Sequence, residues 1–165
     1  MHRHEWHYVH IAGALIKTVI WKKSTMNQTA ILYPLFALVL LTFAIAVWMA
    51  RLRFVAVKRG DLSARYYRLN RGGEVPEYLA KVSQNYDNLL ELPILFYVVS
   101  VLLYVTNQVE IAQLILAWLF VASRYIHSYI HTTSNHLLHR MWAFMIGVFA
   151  LVSMWCVYFV RVLMV

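Results

Sequence analysis

Four long apolar stretches, separated by polar segments, dominate the chain: residues 29–48, 89–105, 111–123 continuing to about 129, and 141–160. Each approaches the roughly 20 residues needed to cross about 30 Å of hydrocarbon, the second and third with their flanking polar turns. Continuous runs of this kind span as helices, because a helix satisfies its own backbone where no water is present. Alternating strands of about ten residues are absent, which excludes a membrane β-barrel. The pattern predicts an all-α integral membrane protein, a four-transmembrane-helix bundle. Its spans are expected at about 29–50, 76–106, 110–132 and 139–162, within a membrane domain of residues 26–165.

The informative positions are the polar ones inside this pattern. In the third span, Arg124 is followed by His127, Ser128 and His131, an i, i+3, i+4, i+7 series that lies on one helix face. An arginine at membrane depth costs at least roughly 2.5–3.5 kcal/mol unless it is paired or hydrated. On the second span Asn88 and Glu91 share a face, and Pro93 removes a backbone donor beside them, which predicts a kink. Glu91 is the expected counter-charge for Arg124, since both lie a few residues inside the same membrane boundary. Arg140 stands at the mouth of the fourth span, either as a snorkelling anchor or as a third member of the group.

Such a cleft suits a small zwitterion. Arginines hold carboxylates through two parallel hydrogen bonds, and a carboxylate beside an amide receives an ammonium. A cation next to a thiol lowers its pKa and raises the thiolate fraction at neutral pH. An Arg124–Glu91 pair that merely fixes helix register is the plainer alternative. A metal site is a third reading, from the ligand-like spacings His127-x3-His131 and His136-x2-His139, although histidines at a membrane boundary more often bond headgroups and water.

Composition agrees with the membrane assignment, at 62% hydrophobic and 13% charged residues. The net charge of +8 does not point to nucleic acid, because seven of the fifteen basic residues fall at positions 51–71 and face only Asp61. By the positive-inside rule the 51–73 connection is expected to be cytoplasmic. The single cysteine, Cys156, excludes an internal disulfide. Residues 1–25 are histidine-rich (His2, His4, His7, His10) with an apolar run interrupted by Lys17. They read as an N-terminal extension, with Met26 as the natural initiator, or else as an interfacial amphipathic helix.

The segments NLLELPILFY at 88–97 and SRYIHSYIH at 123–131 resemble the MAPEG family, membrane-associated proteins in eicosanoid and glutathione metabolism, and in particular its bacterial-type members. The resemblance runs from about residue 26 to 165. It implies a homotrimer of four-helix protomers in the bilayer, here a bacterial inner membrane. Glutathione would be the cosubstrate, in a cleft between neighbouring subunits, and an apolar small molecule the second substrate. Carried over by position, it implies that Arg51, Asn88, Glu91, Arg124, His127 and His131 bind the cofactor and that Arg140 faces its thiol as the catalytic residue. The chain departs from the family pattern at Asp87, where glutathione-using members often carry a basic residue. It also departs at His131, where tyrosine is common, and at Met141, where some members have a hydroxyl. The implied activity is a glutathione-dependent transferase or peroxidase acting on apolar electrophiles or lipid hydroperoxides. The alternative is a non-catalytic member that binds a lipid or a partner protein.

Overall fold

The computed structural model describes residues 26–164, so the expectations for residues 1–25 and their histidines lie outside the described residues. A 3-10 turn, Gln28–Ile31, leads into α1, Leu32–Arg59. The Asn27 side chain starts the turn by accepting from the Thr29 N–H at 3.0 Å. Gly60, at φ 79°, ends α1 in the left-handed conformation, with Lys58 and Arg59 in the last turn where the helix dipole favours cations. A short α2, Tyr66–Leu69, lies in the connection to α3, Glu77–Glu91. The second span then breaks: α4, Pro93–Val105, starts at the proline, with Leu92 between the two helices. The helical hydrogen-bond pattern is thus interrupted at the proline, while Leu92 keeps helical angles (φ −61°, ψ −37°), and the interruption divides a polar half from an apolar half. α5, Ile111–Thr132, and α6, Leu137–Leu163, complete the chain.

Every regular element among the described residues is helical, and four helical stretches are long and apolar enough to cross a membrane. The protein is an integral, multi-pass membrane protein. α1 runs on to Arg59, past the expected end near residue 50. Its 28 residues make it about 42 Å long, so its basic end projects beyond about 30 Å of hydrocarbon.

The antiparallel pair α5–α6 makes the most extensive contact, and α1 packs across α3, α4 and α5. Leu38, Phe96, Val99, Phe120, Ala150 and Met154 are fully buried at the centre. The Phe96 and Phe120 rings stack with centroids 4.7 Å apart. Large apolar side chains such as Phe36, Leu40, Phe43 and Ile115 are exposed on the outside, as a lipid-facing surface requires. At the turn between α4 and α5, Gln28 exchanges two hydrogen bonds with the Val109 backbone, and Arg161 pairs with Glu110. These contacts fasten the first and last helices to one end of the bundle. The polar residues singled out above gather toward the opposite end, called the loop end below.

Candidate functional site

Arg124 is 1% exposed. The helix face predicted from spacing is real, since His127, Ser128 and His131 are all buried with it. The expected ion pair is not. Glu91 is exposed and forms no ion pair with any described residue, so it does not supply the counter-charge. The arginine is held from α6 instead. Its Nη2 donates to the Phe144 carbonyl at 2.9 Å. Its guanidinium carbon lies 4.7 Å from the Phe144 ring centroid and 5.3 Å from that of Phe120. A weakly hydrated planar cation gains from two aromatic faces once it is desolvated, so this arrangement offsets part of the burial cost without a carboxylate.

Gly147 makes that approach possible. A Cβ at this position would fall 2.4 Å from Ser123 Oγ and 2.6 Å from Arg124 Nη2. The glycine, one turn after Phe144, is where the two helices come close enough for the guanidinium to reach a backbone carbonyl. An isolated glycine within a helical run was the available signal for it.

From this anchor the site extends to the loop end. His127 Nδ1 lies 3.1 Å from the carbonyl oxygen of Arg140, linking the end of α5 to the start of α6. The Arg140 side chain is held in turn by Asn135, whose Oδ1 accepts from Nη1 at 2.7 Å. Asn135 sits in the inter-helix turn at φ 51°, a left-handed conformation that asparagine adopts more readily than most residues, and its N–H closes the helix end on the Ile130 carbonyl. The His131 ring meets that of His127 edge-on at 5.5 Å.

Asn88, His127, Leu137, Arg140, Met141 and Phe144 line one cavity of about 250 Å³. Three of the sequence-predicted site residues, Asn88, His127 and Arg140, are thus brought together from three helices. Arg124 and His131 stand behind the wall as its buried support. Arg51 and Glu91 are exposed and do not line the cavity. Asn135, Phe144 and Gly147 belong to the site but were not singled out by the sequence pattern. Among the described residues, no three His, Cys, Asp or Glu side chains gather into a group able to hold a metal ion.

A sequence model of the MAPEG family matches residues 31–160, which takes in all but the outer ends of the first and last spans and every site residue named above. The chain belongs to the MAPEG family. No curated protein and no solved structure matches it. In this MAPEG protein, the cavity lies between α3, α5 and α6. It combines a half-buried cation, an amide and a ring nitrogen with apolar Leu137 and Met141. In such surroundings the guanidinium stabilises a developing anion more strongly than it does in water.

Proposed function

We propose that this protein uses glutathione at the Arg140 cavity to attack apolar electrophiles or to reduce lipid hydroperoxides. The observation that carries the reading is the convergence of Asn88, His127 and Arg140 on one cavity at the loop end. Arg140 would hold the thiolate, and the thiol proton would leave to solvent. In conjugation, sulfur forms a bond to carbon and the leaving group departs with its electron pair. In peroxide reduction, two thiols become a disulfide while the hydroperoxide becomes an alcohol and water.

The cavity is smaller than the roughly 300–1,000 Å³ typical of small-molecule sites. This supports a shared site: a neighbouring copy in a homotrimer would cover the exposed Arg51 and Glu91, and the tripeptide would lie between the two protomers. The seven cations of residues 51–71 favour a cytoplasmic loop end; the bacterial inner membrane is proposed from the resemblance to bacterial-type members alone.

The test is calorimetric titration of the full-length protein in detergent with glutathione, paired with turnover of an aromatic halide and of a lipid hydroperoxide. Saturable binding is expected. Arg140→Ala should lose at least about tenfold in kcat/KM, since each unit of thiol pKa changes the thiolate fraction about tenfold near neutrality. Absent binding, or an Arg140→Ala variant equal to wild type, overturns the proposal. Met141 in the cavity wall favours a second reading, a non-catalytic member that binds a lipid or a partner protein through the same cleft. A lipid retained through purification, without thiol turnover, would select it.

A further inference from the structure

A second cavity, of about 360 Å³, opens where the end of α1, the α2 connection and the first turns of α3 meet. None of its lining residues belongs to the Arg140 cavity. Its wall carries one cation, Arg53, and one acid, Asp87, together with Tyr66, Tyr67, Val75 and Leu79. A buried cluster of Ala56, Leu62 and Leu79, with the two tyrosines and Val75 packed on it, makes a rigid base.

The polar groups are arranged but not used up. The Arg53 guanidinium lies 5.6 Å from the Tyr67 ring centroid, and that ring meets Tyr66 edge-on at 5.4 Å. Neither Arg53 nor Asp87 forms an ion pair with any described residue. The Tyr67 hydroxyl oxygen is buried and has no hydrogen-bond partner. Burial pushes its pKa above the ordinary 10.0, against the opposing pull of Arg53, so it stays a proton donor. In the connection, Asp61 is engaged with Tyr78, whose hydroxyl donates to it at 2.8 Å. Arg53 follows the apolar end of the first span by five residues, about 7 Å along the helix, which is headgroup depth. Tyrosines favour that depth, with an apolar ring and a wet hydroxyl.

We propose that this cavity binds a phosphoethanolamine group, with Arg53 and the Tyr67 hydroxyl on the phosphate and Asp87 on the ammonium. Val75 and Leu79 meet the adjoining carbon chain. The exposed cations Lys58, Arg59, Arg65, Arg68 and Arg71 draw anionic headgroups to this end without discrimination. Asp87, exposed in the cavity wall, does the opposite: it repels a purely anionic headgroup and rewards one that carries an amine. The same chemistry is offered by phosphatidylethanolamine in the adjoining leaflet and by soluble phosphoethanolamine.

Native mass spectrometry of the full-length protein in detergent, titrated with dioleoyl phosphatidylethanolamine and dioleoyl phosphatidylglycerol, tests this. Wild type is expected to retain one phosphatidylethanolamine per protomer and to prefer it about tenfold over phosphatidylglycerol, as one charged hydrogen bond allows. Asp87→Asn removes the preference. Arg53→Ala weakens retention of both lipids about tenfold, and Arg53→Lys restores part of it. Arg68→Ala, an exposed charge outside the cavity, leaves retention of phosphatidylethanolamine unchanged. Competition by soluble phosphoethanolamine supports the assignment with a free ligand as its source; lipid retention without competition supports it with the bilayer as its source. Equal retention of the two lipids by wild type overturns the proposal, as does an Asp87→Asn or Arg53→Ala variant that behaves like wild type.

Discussion

Gly147→Ala is the substitution whose sign reports most directly on the Arg124 site. In an ordinary helix interior, alanine is more stable than glycine by about 1 kcal/mol, because glycine loses more backbone freedom on folding. Here the new methyl would lie 2.4 Å from Ser123 Oγ and 2.6 Å from Arg124 Nη2, both inside van der Waals contact. Relief requires the Ser123 hydroxyl to turn away from the Phe120 carbonyl and the guanidinium to leave the Phe144 carbonyl, or else α5 and α6 to separate. Overpacking of this kind costs about 1–3 kcal/mol. Losing a hydrogen bond to a charged, buried group costs about 1.5–3 kcal/mol more. After the alanine propensity is credited, the net is a loss of about 1.5–5 kcal/mol. Unfolding in mixed detergent–dodecyl sulfate micelles, followed by tryptophan fluorescence, reads this difference. A double-mutant cycle with Arg124→Met locates its source: with the guanidinium gone, the alanine should cost at least about 1 kcal/mol less, a coupling expected only of groups in contact. A Gly147→Ala protein more stable than wild type would refute the close approach, and with it the account of how the arginine is held.

Three further outcomes follow from the same geometry. Glu91→Gln should change stability by less than about 0.5 kcal/mol, as for an exposed unpaired side chain, whereas breaking a buried pair with Arg124 would cost about 3–5 kcal/mol; the same unfolding assay separates the two. Asn135→Gly keeps the left-handed turn but removes the acceptor of Arg140, so turnover should fall while the melting temperature stays within a few degrees of wild type; unchanged turnover would show that Arg140 needs no such support. Glu110→Gln, which breaks the half-exposed pair with Arg161 at the far end, should cost at most about 1 kcal/mol and leave glutathione binding unaltered; a large effect on binding would mean that the two ends of the bundle are coupled.

The one-dimensional pattern determined what depends on solvent and period. Continuous apolar length specified spanning helices, because lipid leaves the backbone no other partner. The spacing Arg124, His127, Ser128, His131 specified a shared polar face, because 3.6 residues per turn brings those positions together, and all four are buried. Pro93 specified the break in the second span, because a missing N–H acts locally. Which partner meets Arg124 was not of this kind. Charge and depth pointed to Glu91, but a carboxylate can turn outward, whereas the Phe144 backbone carbonyl is fixed to α6, with the Phe144 ring from α6 and the Phe120 ring from α5 beside the guanidinium. The choice between them rests on the space between α5 and α6, and the absent side chain of Gly147 leaves that space to the Ser123 hydroxyl and the guanidinium. The loop-end cavity has the same origin: Asn88, His127 and Arg140 lie on three helices and become neighbours only through packing. Period and solvent act along one segment and can be read from it; contact between segments depends on shape, and only the assembled bundle decided it.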